Sequence, residues 1–406
     1  MEAGSGIKSA TSSIALEIAG FVKFTFIGYV SIGLSLGVLP VFIHNQLGYS
    51  AMIAGIVISL QYLSTFLFRG YAGNIIDKKG PKTAVLSGLA GFAISGLFLC
   101  IAFLFKEHHE LCLILVALTR LITGFAEGLI GSSPINWAIN TVGEQNTARS
   151  ISYNGIASYG GLAVGAPIGI LLADNYGIAG IGIVVFILGI VGYLLATRKN
   201  DAVIKSTEKR KSFASVLKTI APYGICLTLA ALGFGTISTF ITLYYAYLNW
   251  TNAVLCLSVF SVFFILGRLI FAGAIDNYGG LKTAVACMAL ESVGLAVLWL
   301  ANMPQVALVG AGITGLGFSL VFPALGVEAV KLVPGSNKGA ALGAYGLFLD
   351  ISLGLTGPLI GGVASHFGML YIFPFSMGMV LLGLVSCLFI GQKIKSFKAQ
   401  SNNAGI

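Results

Sequence analysis

Arg120 and Glu127 stand seven residues apart in an otherwise apolar stretch, and seven residues are two turns of an α-helix, which puts both side chains on one stripe. Charges within such a run are costly in hydrocarbon and default to function. A carboxyl group beside an arginine is suited to carrying protons: desolvation favours its neutral form, the cation favours its ionised form, and relative movement between the two switches protonation. Glu127 is the first candidate for that role, and a charge pair that locks two helices is the alternative. Asp350, Glu291 and Glu328 are further carboxylates in apolar runs. Asp350 suits either substrate or proton binding or a hydrogen bond to a neighbouring helix. Glu328, three residues before Lys331, reads as an inner-gate or interfacial pair, and Glu291 stays unassigned. Gln61, Asn136, Tyr345 and Trp137 could line a cavity, whereas Tyr244 and Tyr245 read better as interfacial belt. Other chemistries find no residues to carry them. The chain has no H-E-x-x-H, no G-x-x-x-x-G-K-[ST] and no C-x-x-C, so the expectation is a non-enzyme with no cofactor and no metal.

The elements that must position these groups follow from composition. Only 9% of the 406 residues are charged against 57% hydrophobic, and mean hydropathy is +0.94. A soluble domain carries about a quarter charged residues. Soluble enzymes, disordered chains and disulfide scaffolds are thereby excluded, and the net charge of +9 lies in short loops rather than on a nucleic-acid-binding face. Apolar runs long enough to span a bilayer occur at about 20–43, 52–70, 83–105, 111–139, 152–173, 178–196, 221–246, 252–273, 283–301, 305–330, 341–363 and 369–390. Such lengths require helices, so the expected fold class is an all-α polytopic bundle of twelve transmembrane helices. Lys and Arg gather at one set of ends, with Lys106 alone among the opposite loops, so both termini are expected in the cytoplasm and His44, His108, His109 and His366 outside. The polar stretch from Arg198 divides the chain into 1–197, a linker at 198–218, and 219–406. The six cysteines sit in or beside apolar runs and read as small hydrophobes.

The two halves share one plan. Offset by 191 residues, 123–177 aligns with 314–368 without a gap, pairing Thr123 with Thr314, Asn146 with Asn337, Pro167 with Pro358 and Gly177 with Gly368. A second register sets Arg69, Asp77 and Gly80 against Arg268, Asp276 and Gly279. Parallel six-helix repeats of this kind place a binding site near the bilayer midplane.

The segment Arg69-Gly-Tyr-Ala-Gly73-Asn-Ile-Ile-Asp77-Lys78-Lys79-Gly80-Pro81-Lys82 resembles the signature loop G-x-x-x-D-R-x-G-R-R between helices two and three of the major facilitator superfamily. In that family the loop works as a cytoplasmic gate, which the resemblance extends to Arg69, Gly73, Asp77, Gly80 and Lys82, and to the second copy at Arg268, Asp276 and Gly279, where Ala272 replaces the glycine. Arg120 resembles the intramembrane arginine of the family's fourth-helix motif, which is associated with proton coupling. The run through Gly165, Pro167 and Gly169 resembles a G-P-x-x-G motif typical of exporting branches, with Ala166 intervening, and it recurs at Gly357 and Pro358. Small residues there permit close helix packing and proline permits a bend. Phrases such as FPALGVEAVKLVP at 322–334 are similar to the bacterial arabinose-efflux-permease-like, or YhhS-type, branch.

The resemblance implies a monomeric secondary transporter of a bacterial inner membrane, driven by a proton gradient and exporting a sugar, drug, siderophore or other small metabolite. A proton symporter or facilitator importing a nutrient is the second reading. A non-transporting receptor or scaffold is a third, and the short loops leave it little partner surface.

Overall fold

The computed structural model describes the backbone of residues 2–143, 146–201, 213–271, 273–333 and 338–403; outside the described residues lie the rest, including 202–212 of the expected linker, and the side chains of 2–13, 70, 73, 74, 77, 148, 213, 214, 338–343 and 394–403. Among the described residues every regular element is a helix. In chain order they are α1 (Glu2–Leu36), α2 (Leu39–Val41) with a π-turn at Phe42–Gln46, α3 (Ala51–Lys79), α4 (Pro81–Leu104), α5 (His109–Ile130), α6 (Ser133–Val142) and α7 (Thr147–Thr197). There follow α8 (Phe213–Tyr247), α9 (Val254–Ile270), α10 (Ala274–Tyr278), α11 (Gly280–Leu300), α12 (Pro304–Phe318), α13 (Val321–Lys331), α14 (Lys338–His366) and α15 (Ile372–Asn403). Ten described helical stretches are long and apolar enough to cross a membrane, and α9, at 17 residues, is a shorter apolar helix.

Several boundaries differ from the apolar runs, each for a local reason. The first run, expected at 20–43, begins well before residue 20 and gives way after Leu36 to the short α2 and the π-turn. Hydropathy marks where hydrocarbon would begin, whereas a helix continues into water until its hydrogen bonding fails. The run at 111–139 is broken at Gly131 and Ser132, where Pro134 starts α6. Proline suits a first turn, because its missing N–H has no helical partner to lose. Its counterpart at 305–330 is likewise broken at Ser319 and Leu320. The runs at 152–173 and 178–196 are joined in α7, yet Gly177 within it has φ 62° and ψ −165° and ends one helical path before the next begins. That conformation is open to glycine and strained for a residue with a Cβ. Gly80 and Gly279, paired in the repeat, share nearly one backbone geometry, φ 86° and ψ 158° against φ 85° and ψ 153°.

Two compact units emerge, one formed by Met1–Tyr49 with Leu60–Thr207 and the other by Ser50–Ser59 with Glu208–Ile406. In the first, α7 packs along α1 and α4, and α4 also packs on α5. Glycines set the α1–α7 distance: a Cβ at Gly165 would lie 2.5 Å from the Val30 carbonyl oxygen, and one at Gly169 would collide with that of Leu34. With no side chain between them the backbones meet directly, which is how helices associate where lipid is as apolar as the interface. Pro167 lies inside the same helix. In the second unit, α8 packs on α14 and α15, while α11 packs on α12, α13 and α15. Its segment Ser50–Ser59 lies against α14, where Ser59 Oγ accepts a hydrogen bond of 3.1 Å from the Gly357 amide, just ahead of Pro358.

Candidate functional site

The first unit holds a buried polar cluster built on α3 and α5. Gly124 is its structural condition, because a Cβ there would collide with the Gln61 carbonyl oxygen and stand 2.7 Å from Ser64 Cβ. With the helices this close, one polar face of α3 reads one face of α5. Ser64 Oγ donates to the Leu121 carbonyl at 2.7 Å, and Thr65 Oγ1 lies 2.9 Å from that of Gly124. These bonds fix the height of one helix against the other and so place the ionisable groups.

Arg120 and Glu127 are joined through Gln61. Arg120 Nη1 donates to Gln61 Oε1 at 3.1 Å, and Gln61 Nε2 donates to Glu127 Oε2 at 2.8 Å. The amide thus shows its carbonyl to the cation and its NH₂ to the carboxylate, the orientation that satisfies both charges. Thr65 Oγ1 reaches the same carboxylate oxygen at 3.3 Å, while Arg120 also donates to Ser35 Oγ on α1 and to Thr119 Oγ1, each at 3.4 Å. Gln61 is fully buried and Arg120 is 3% exposed. In such low-dielectric surroundings hydrogen bonds to charged groups are strong, and an unsatisfied one is expensive. A carboxyl linked to a cation by a polarisable amide can take up or release a proton, and doing so changes the force holding α3 to α5.

The remaining predicted residues fall elsewhere. Asn136 donates to the Ser132 carbonyl one turn back in its own stretch, and the Trp137 indole N–H caps the Asn200 carbonyl. Beside them, Lys199 lies 3.9 Å from the Phe21 ring centroid, and burial together with neighbouring Lys23 pulls its ammonium below the ordinary lysine value. Lys82 Nζ donates to the carbonyls of Thr197 and Lys199, closing the end of α7. Arg69 lies on α3 ten residues before its last residue, Lys79; Gly73 follows on the same helix, and the Asp77 side chain lies outside the described residues. In the second unit, Asp350 is buried on α14, and Tyr345 donates to the Phe322 carbonyl at 3.1 Å. Arg268 donates from Nε to the Ser319 carbonyl and lies over the Phe264 ring. Asp276 is in the short α10, and Glu328 Oε1 accepts from Lys331 at 2.8 Å and from the Gly280 amide at 3.1 Å. Glu328 therefore caps the start of α11, where helix N–H groups lack partners.

Sequence reading named Gln61, Arg120 and Glu127 without joining them, and it missed Ser35, Ser64 and Thr65. The available signal was the Gln61-x-x-Ser64-Thr65 spacing, three polar groups at helical repeat on an apolar helix.

A buried arginine bridged to a half-buried glutamate inside a bundle of long apolar helices belongs to a membrane protein, and the sequence family agrees. The Major Facilitator Superfamily model matches residues 24–255 and 223–404, together nearly the whole chain. The chain belongs to this superfamily. Among its relatives, an uncharacterized MFS-type transporter of Pseudomonas aeruginosa is 52% identical over 376 residues, covering 93% of each chain. One from Burkholderia pseudomallei is 48% identical over 369 residues, covering 90% of each. Two solved structures share the fold: the human organic anion transporter MFSD10, with a TM-score of 0.70 at 13% identity over 91% of this chain and 98% of that one, and the nucleoside transporter NupG, with 0.70 at 13% over 92% and 99%. The protein is therefore a multi-pass membrane transporter of small molecules and not an enzyme.

Proposed function

We propose that this transporter is a proton-driven antiporter of a bacterial inner membrane, acting as a monomer and exporting a small organic molecule such as a sugar, drug, siderophore or related metabolite by alternating access. The observation that carries the reading is the Arg120–Gln61–Glu127 chain, with Arg120 and Gln61 buried, Glu127 half-buried and contacts of 3.1 and 2.8 Å. Protonation of Glu127 removes the negative charge that Gln61 and Thr65 bind, leaves the Arg120 charge unbalanced, and so favours a different arrangement of α3 and α5. Return of the proton to water restores the first arrangement, and two protonation states thereby drive two conformations. Export as the direction is supported by the Gly165/Pro167/Gly169 segment, together with the wider similarity to the arabinose-efflux-permease-like branch.

A count of twelve spans is supported by the ten long apolar stretches when α7 is divided at Gly177 and the shorter α9 is included. The lysine and arginine distribution supports a cytoplasmic location for both termini. The organisms of the relatives, Pseudomonas and Burkholderia, support an inner-membrane location.

Purified protein in proteoliposomes with an internal pH dye, under an imposed proton gradient, tests the reading when screened against sugars, chelators and cationic drugs. Substrate-evoked proton movement opposite to the substrate, lost in Glu127→Gln, is the expected result. Movement in the same direction would replace antiport by symport. Transport with unchanged proton dependence in both Glu127→Gln and Asp350→Asn would overturn the assignment of the coupling residues.

A further inference from the structure

A second buried carboxyl lies in the other unit, unused by the chemistry above. Glu291, on α11, is fully buried, and neither of its carboxyl oxygens has a hydrogen-bond partner among the described residues. Its place is built rather than incidental. Gly233 on α8 faces it, where a Cβ would come 2.5 Å from Glu291 Oε1 and 3.2 Å from Leu295 Cδ1. On α12, Gly317 meets the Glu291 backbone, and a Cβ there would lie 2.7 Å from Glu291 Cα. Gly233 thus leaves the space that the carboxyl fills, and Gly317 lets α12 approach the Glu291 backbone.

The surroundings decide what such a group can bind. On α11 itself the other ionisable groups are Cys287, one turn earlier, whose thiol feels the Glu291 charge, and Lys282, more than two turns earlier; α10, packed against the start of α11, carries Asp276 and Tyr278. The α12 segment Pro304–Phe318 contains no ionisable residue. On α8 the ionisable groups are Lys218, Tyr223, Cys226, Tyr244, Tyr245 and Tyr247, the nearest of them in sequence seven residues from Gly233. Tyr244 and Tyr245 donate to the Leu298 and Pro304 carbonyls, and the free thiol of Cys226 is hydrogen-bonded with that of Cys387 on α15, whose lysines, Lys393, Lys395 and Lys398, lie in its last third. Glu328 on α13, also packed against α11, is held by Lys331 and the Gly280 amide. Among the described residues no cation is bonded to Glu291 to hold it ionised, and an ionised carboxylate in an apolar site without partners is strongly disfavoured. A hard metal cation needs about six oxygen ligands, and here one side chain supplies two. A proton needs one.

We propose that Glu291 is a proton-binding site of the second unit, holding its proton as a neutral carboxyl in this conformation, separate from the Arg120–Gln61–Glu127 chain. Binding takes one proton onto one carboxylate oxygen and removes one negative charge. The site opens to ionisation when α11 moves relative to Gly233 and a polar group or water reaches the carboxyl.

Infrared spectroscopy of the purified full-length protein in lipid at neutral pH, in H₂O and D₂O, tests this directly. The expected result is a protonated-carboxyl C=O band that shifts in D₂O, persists in Glu127→Gln, and loses one carboxyl's intensity in Glu291→Gln. A Glu291→Gln spectrum identical to wild type in this region would overturn the proposal. Gly233→Ala supplies a second measurement, because its Cβ presses on Oε1 and should displace the Glu291 band; an unmoved band would count equally against the site. Since the measurement needs no substrate and no gradient, its failure is distinguishable from failure of proton-driven export.

Discussion

Replacing Gln61 with Leu keeps the side chain's size and removes both bonds of the bridge, the 3.1 Å bond from Arg120 and the 2.8 Å bond to Glu127. Glu127 would keep Thr65 at 3.3 Å, and Arg120 would keep Ser35 and Thr119, each at 3.4 Å. On the scale of water-soluble proteins, a hydrogen bond to a charged group contributes about 1.5–3 kcal/mol, so the loss would come to about 3–6 kcal/mol. Within membranes the value falls, because a helix separated from its partner finds other partners in the bilayer, and measured couplings average about 0.6 kcal/mol with a maximum near 1.7. Two bonds on that scale give about 1–3 kcal/mol. A double-mutant cycle of Gln61→Leu and Glu127→Leu, read by reversible detergent unfolding, isolates the shared part. The cycle reads the single Gln61–Glu127 bond, so the expected outcome is a coupling of about 0.6–1.7 kcal/mol, above the roughly 0.3–0.5 kcal/mol within which independent sites add. Additivity inside that margin would refute the bridge. The same Gln61→Leu protein should lose proton-dependent transport, since the charges would no longer be joined.

Gly124→Val should separate α3 from α5, because its side chain would occupy the space of the Gln61 carbonyl. Overpacking of this kind costs about 1–3 kcal/mol, and unfolding measurements together with loss of transport would show it, whereas Gly362→Ala, where a Cβ meets nothing within 4 Å, should change neither. Lys82→Ala should free the carbonyls of Thr197 and Lys199 and raise amide hydrogen exchange in the last turn of α7, while Lys82→Arg should restore protection; unchanged exchange would show that the lysine does not close that helix.

How much was legible beforehand depends on whether a feature is local. The apolar runs marked the spans because any backbone in hydrocarbon must bond to itself over a length set by bilayer thickness. The pairing of Gly80 with Gly279 was visible as a repeat, and both take nearly the same backbone angles because each permits the turn into the next helix. Helix ends were read less well: α7 runs through the gap expected between two spans, and the runs at 111–139 and 305–330 break within. Hydropathy records transfer to lipid and is blind to the path of the chain inside the apolar layer.

Lys82 and Glu328 show a second limit. Lys82 was read as part of a cytoplasmic gate and Glu328 as an inner-gate or interfacial pair with Lys331; in the structure Lys82 also closes the end of α7, and Glu328, paired with Lys331 at 2.8 Å, also caps α11. A charged side chain at a helix end meets whichever unpaired backbone group the tertiary fold brings near, and a motif does not say which.

From the sequence alone came the membrane class, the repeat and the identity of the buried charged residues, since these depend on composition and on spacing along one chain. Only the tertiary structure decided that Gln61 joins Arg120 to Glu127 while Glu291 has no hydrogen-bond partner among the described residues. Each helix can turn about its own axis and slide along its neighbour, and those two freedoms are fixed by packing between helices, here by Gly124 against Gln61 and by Gly233 against Glu291.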